Sequence, residues 1–152
     1  MNAPIYYEDL TAGQVFMSRA ETIGRERIVS FAQEFDPQPQ HLDEELARGS
    51  MFGELVASGW HTAALTMRLQ LEALQDRFPS GSMGAQIDKL AWLRPVRPGD
   101  VLHVKAEIME LRPSRSRPDR GLVTVQTTTL NQRDEAVQVM TATILAPRRP
   151  TA

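Results

Sequence analysis

The stretch "ELVASGWHTAALTMRLQLEALQDRF", Glu54–Phe78, decides how the rest of the chain must be arranged. From Ala57 to Leu69 it is apolar or small on nearly every face, the pattern of a helix covered all round. Ala57, Ser58, Gly59, Ala63 and Ala64 are small enough for a sheet to approach closely, and polar residues return only after Arg68. Ser58 reads as the N-cap, with Gly59 opening the helix. Such a helix needs a sheet to cover it.

The chain downstream supplies one. "MGAQIDKLAWLRPV" (Met83–Val96), "DVLHVKAEIMEL" (Asp100–Leu111), "GLVTVQTTTLNQ" (Gly121–Gln132) and "AVQVMTATILAP" (Ala136–Pro147) are strand candidates rich in β-branched residues. Val123, Val125, Thr127 and Thr129 alternate with Thr124, Gln126 and Thr128, which predicts one face turned inward. "RPVRPGD", "RPSRSRPDRG" and "NQRDE" are the connections. Upstream, "VFMSRAET" (Val15–Thr22) predicts a first strand. "GRERIVSFAQEF" places Ile28, Phe31, Ala32 and Phe35 on one face of a helix over residues 25–35. "LDEELARGS" predicts one or two more turns between Asp43 and Gly49. One strand, a buried helix and four antiparallel strands make an α+β domain whose sheet curls round a central helix.

The 152 residues fit a single domain over 1–152. With a formal net charge of −2 and both signs interspersed, there is no basic field for nucleic acid or an anionic membrane. The absence of cysteine excludes disulfides and thiolate zinc sites, and a cytoplasmic location fits. His41, His61 and His103 share no ligand spacing, so no metal is expected. No basic leader with an apolar core and no run of twenty apolar residues is present, so neither secretion nor membrane spanning is expected.

"FDPQPQH", Phe35–His41, puts a carboxylate and an imidazole five positions apart with two prolines between them. In a helix such residues point about 140° apart; fully extended they lie roughly 17 Å apart. Each proline fixes φ and pushes its predecessor out of the α region, so an irregular, stiffened path is expected. That path can aim Asp36 and His41 at one small substrate. Equally, Asp36-Pro37 can be a turn and His41 a local hydrogen-bonding residue.

Together with the order of elements, "FDPQPQHLDEELARGSMFGELVASGWHT" resembles the MaoC-like dehydratases, a hotdog-fold family that includes (R)-specific enoyl-CoA hydratases. Asp36, Pro39, His41 and Ala47 match its motif. Gly59, eighteen positions after His41, matches the glycine opening the central helix, and "RPVRPGD" resembles a later hairpin. The chain departs from the hydratase pattern in Phe35 for a glycine, Gln38 for an asparagine and Met67 for a serine. The resemblance implies a single hotdog fold and hydration of an acyl-CoA thioester. Coenzyme A is then part of the substrate, with no separate cofactor, and the active unit is a homodimer or larger. Asp36 is then the principal base and acid, and His41 orients and shares the proton of a water. The Gly59 amide, at the positive end of the helix, receives the thioester oxygen. Gln38, Ser58, Trp60 and Arg94 surround the substrate.

Asp36 also falls at the C-terminus of the first helix, where the macrodipole disfavours a carboxylate; raised proton affinity is expected. His61 reads as a buried, hydrogen-bonded structural histidine, and Trp60 and Trp92 as core or interface packing. His103 is assigned nothing. Arg94 and Arg97 lie in one connection, and Arg112, Arg115, Arg117 and Arg120 form a positive loop read as solvated. Two other activities remain open: a thioesterase, with Asp36 directing water at the carbonyl, and a non-catalytic acyl-CoA-binding module.

Overall fold

Alternating β-branched residues set the sheet. In the computed structural model, which describes residues 3–151, the elements in chain order are β1 (Val15–Met17), β2 (Glu21–Thr22), α1 (Arg25–Phe35), α2 (Pro39–Leu42), α3 (Glu44–Ala47), α4 (Gly59–Ala73), β3 (Met83–Trp92), β4 (Val101–Pro113), β5 (Arg120–Leu130) and β6 (Ala136–Pro147). Residues 1–2 and 152 of the expected domain lie outside the described residues. Pairing is antiparallel throughout in the order β1-β4-β5-β6-β3, with β2 also on β4. β5 buries Val123, Val125, Thr127 and Thr129, the alternation expected from sequence. Register shifts in β3–β6, β4–β5 and β5–β6 mark bulges, which add twist and curl the sheet about α4. This is the α+β hotdog architecture.

The expected first strand divides in two. Ser18 N–H bonds the Val104 carbonyl at 2.9 Å while its own Oγ accepts from Val104 N–H at 2.8 Å. A side chain thus replaces a backbone acceptor in the ladder, and regular pairing stops until Glu21.

α4 packs inward through Leu65 and Leu69, which meet Ile23, Ile28, Leu102 and Val104. A second apolar cluster around Leu74, Phe78, Ile108 and Val125 fills the other end. Burying each large side chain contributes about 1.5–3 kcal/mol. The helix is not covered all round, contrary to the sequence pattern. Trp60 is 60 % exposed and Met67 38 %, so one apolar stripe has no cover among the described residues. The inner face carries Thr66 and Gln70, which are buried because they find partners: Thr66 with Thr129 at 2.6 Å, Gln70 with Thr127 and Gln75. β3 is also uncovered, an edge strand with Met83 and Ile87 both more than half exposed, and short β1 forms the opposite edge. No helix among the described residues is long and apolar enough to cross a membrane.

Candidate active site

α1 buries Ile28 and Ala32 as its spacing requires, but Phe35 is exposed; the helix is already leaving the core there. Asp36 is its C-cap, at φ −151° and ψ 69°, with its N–H still bonded to the Ala32 carbonyl at 2.9 Å. The next residues are more regular than expected. Gln38 is extended, Pro39 takes the first helical position, and His41 sits on the single turn of α2. Proline is tolerated there because the first N–H of a helix has no intrahelical acceptor anyway. Asp43 then caps α3, its Oδ1 accepting from the Glu45 and Leu46 amides at 2.8 and 3.2 Å, and α3 buries Ala47 completely.

This path brings His41 Nε2 to 3.4 Å from Asp36 Oδ2. The imidazole is 5 % exposed, and its Nδ1 lies 2.8 Å from the Val56 carbonyl. A carbonyl only accepts, so Nδ1 carries a proton, and Nε2 is the ring nitrogen that faces the carboxylate. A carboxylate oxygen and a ring nitrogen facing one another in this way are suited to holding a water between them.

The carboxylate is held on both sides. Gln38 Nε2 donates to Oδ1 at 2.6 Å and Ser58 Oγ donates to Oδ2 at 2.7 Å. Burial pushes the Asp36 carboxyl up, but the Ser58 and Gln38 hydrogen bonds and the neighbouring His41 outweigh it, leaving it below its ordinary value. The raised proton affinity expected from the end of α1 is therefore not found. Ser58 explains why: as N-cap of α4 it draws the carboxylate to that helix's positive end, which opposes the negative end of α1.

Ser58 Oγ also accepts from the Trp60 amide at 3.2 Å, and the Ser58 carbonyl takes the His61 and Thr62 amides. The Gly59 N–H has no partner among the described residues and points outward at the start of α4. A Cβ built on Gly59 would lie 2.5–2.9 Å from the Trp92 indole, so the position of that ring requires glycine here.

One cavity of about 410 Å³ gathers Asp36, His41, Gly59, Gln38, Trp60 and Arg94 in its wall, with Ser58 behind the carboxylate. Phe52, Val56, Trp92 and Leu93 make the rest of the wall largely apolar. Trp60 and Trp92 meet edge to face, with centroids 5.2 Å apart. Both are exposed at the cavity, so of the core and interface roles read from sequence the core role does not hold. Arg94 donates to the Ala136 carbonyl at 2.7 Å and lies 3.6 Å from Glu135. Among the described residues no group of three or more His, Asp or Glu side chains could hold a metal.

His61 is not part of this group. It is buried and stacked on Phe31 at 4.7 Å, but Nδ1 has no hydrogen-bond partner among the described residues, unlike the expectation from sequence. Burial and the charge of Arg27 push its pKa down to about 4. Arg112, Arg115, Arg117 and Arg120 lie around the β4–β5 connection, at the opposite end of β4 from the Arg97–Asp100 turn that leads into the site. Sequence reasoning missed the Val56 carbonyl, which as a backbone group leaves no residue signature, and the cavity role of Trp92.

A curved antiparallel sheet round a central helix, with an acid–imidazole pair at that helix's leading end, defines a hotdog-fold protein of the hydratase and dehydratase class. The MaoC-like domain profile matches residues 9–131, and the chain belongs to the MaoC-like dehydratase family. It is 51 % identical to the MaoC-like dehydratase from Rhodospirillum rubrum, with a TM-score of 0.90 over 97 % of this chain and 99 % of that one. It is 29 % identical to the R-hydratase PhaJ1 from Pseudomonas aeruginosa, with a TM-score of 0.77 over 96 % of this chain and 88 % of that one. The 3-hydroxybutyryl-CoA dehydratase of Methylorubrum extorquens is 35 % identical over 114 residues, 74 % of this chain and 69 % of that protein.

Proposed function

We propose that this protein adds water across the C2–C3 double bond of an enoyl-CoA thioester to give an (R)-3-hydroxyacyl-CoA, and removes it in the reverse direction. The observation that carries this reading is the 3.4 Å approach of Asp36 Oδ2 to an imidazole whose tautomer is fixed by Val56, next to the unpartnered Gly59 N–H. Asp36, held below its ordinary pKa, is ionised near neutrality and ready to accept a proton. A water held between Asp36 and His41 Nε2 gives up one proton to the pair as its oxygen bonds to C3. The C2–C3 electron pair moves toward C2 and the thioester oxygen, where the Gly59 N–H and the end of α4 stabilise the enolate. The pair then returns a proton to C2 and the thioester reforms. Because one pair handles both protons on one face of the substrate, the addition is syn.

Gln38 holds the carboxylate and Ser58 ties it to the helix. Trp60 and Arg94 flank the mouth, where the thioester and its coenzyme A arm enter. A second copy completes the molecule: the β3 edge and the Trp60–Met67 stripe of α4 are the two surfaces that pairing would cover.

The test is a panel of enoyl-CoA substrates assayed with wild type and Asp36→Asn. Loss of enoyl absorbance without thiol release, abolished in the variant, is the expected result. Release of free coenzyme A would make the protein a thioesterase, and binding without turnover would make it a carrier module.

A further inference from the structure

Gln138 is wholly buried, and no step proposed above uses it. Gln138 belongs to the regular inward-facing series of β6, with Met140, Ala142, Ile144 and Ala146, whereas the register shift between Thr129 and Leu130 leaves Val137 as an extra residue that is buried as well. An amide in that place is tolerated only if both of its ends are bonded. They are. Oε1 accepts from the Trp92 indole N–H at 2.9 Å, and Nε2 donates to Thr66 Oγ1 at 3.3 Å. Thr66 in turn shares a 2.6 Å hydrogen bond with Thr129. A chain of polar contacts therefore runs from the cavity wall to the middle of the sheet, and it ends on the ring that lies against Gly59.

The ring needs such an anchor. Trp92 is 45 % exposed, so packing confines it on only part of its surface, and Trp60 meets it edge-on from a position that is itself more than half exposed. A Cβ on Gly59 would come within 2.5–2.9 Å of three of its atoms, so the indole and the first residue of α4 share one van der Waals boundary. Movement of one is felt at the other.

We infer that Gln138 is a positioning residue: by holding the indole N–H it fixes the Trp92 ring against Gly59, and so sets both the cavity wall and the placement of the amide that receives the thioester oxygen. The inference rests on the hydratase reading for its kinetic consequence, but not for its structural one.

The experiment is a double-mutant cycle read in two ways. For enoyl-CoA hydration, Gln138→Leu is expected to lower kcat by about tenfold or more, because a donor shifted by a fraction of an ångström stabilises the enolate poorly, with KM changed by less than about threefold. In a Trp92→Phe background, where no indole N–H remains, the same change is expected to lower kcat by less than about twofold. The second readout needs no turnover. Trp60 and Trp92 are the chain's two tryptophans, so Trp60→Phe leaves Trp92 as sole reporter. Adding Gln138→Leu is expected to red-shift its emission and lower its anisotropy, with Thr66→Val doing so to a smaller degree should Gln138→Leu fold poorly. Unchanged Trp92 emission in both variants, or an equal kcat loss in both backgrounds, would overturn the proposal. An enzyme inactive on every enoyl thioester would remove the hydratase reading while the fluorescence still decides the brace.

Discussion

Ser58 Oγ lies 2.7 Å from Asp36 Oδ2 and 3.2 Å from the Trp60 amide, so one hydroxyl joins the carboxylate of the site to the first turn of α4. Ser58→Ala should therefore do two separable things. Loss of the N-cap should cost about 1 kcal/mol, read as a fall in Tm of roughly 2–4 °C for a domain of this size. Loss of the donor to Asp36 should raise that carboxyl's pKa, so the acid limb of the pH–rate profile moves to higher pH. An acid limb that stays in place while Tm falls would separate Ser58 from the chemistry.

Asp36→Asn should lower turnover by roughly 10²–10⁴-fold and leave the far-UV circular dichroism unchanged. It should also alter acid stability. The folded-state pKa lies below the ordinary 3.8, so ionised Asp36 contributes stability that is present above about that pH. That contribution is lost as pH falls through the lower folded value. Urea midpoints measured below pH 4 should show this loss in wild type and its absence in the variant.

Helix propensity alone says that Gly59→Ala stabilises, by about 1 kcal/mol. The Trp92 ring says the reverse, since a methyl would sit within 2.5–2.9 Å of it and overpacking of that kind destabilises by about 1–3 kcal/mol. Denaturant titration decides between them. The expected outcome is net destabilisation, relieved when Trp92 is also made smaller.

His61 gives a second pH signature. Its pKa of about 4 in the folded state, against 6.5 ordinarily, means the unfolded chain binds the additional proton between those values. Stability should therefore decline as pH falls from about 6.5 to 4 and flatten below. His61→Leu removes both the titration and the orphaned Nδ1, so its stability should be less sensitive to pH across that window and no lower than wild type at pH 7. A steeper decline in the variant would contradict a neutral buried ring.

Ile87→Lys places a charge on the open β3 edge, a substitution that blunts edge-to-edge pairing. Sedimentation velocity should show a dimeric wild type and a monomeric, still folded variant. A wild type sedimenting as a monomer would remove the second copy from the proposal.

Period and spacing made most of this fold legible before any coordinates. The alternation in β5 marks its inward face, and the smallness of Ala57–Gly59 marks the start of a closely approached helix. Asp36 and His41 were legible because their motif is contiguous. What escaped was tertiary. Asp36 looked basic when judged by its own helix, since the helix that offsets the effect begins more than twenty residues later. Gln138 gave no signal because its partners Trp92 and Thr66 are 46 and 72 residues away, and a polar residue on the inward face of a strand does not name them. The bare stripe on α4 was hidden because an exposed apolar stripe and a covered one have the same composition.

The Val56 peptide is gripped from both sides: its N–H bonds the Gln40 carbonyl at 2.9 Å, and its own carbonyl takes the proton of His41 Nδ1 at 2.8 Å. Two adjacent residues of α2 are thereby laced to the segment that leads into α4. The fold's own hydrogen bonds hold the acid and the imidazole to the segment that opens α4. For the activity proposed above, a frame held this way would leave discrimination among thioesters to the shape of the aromatic aperture formed by Trp60 and Trp92.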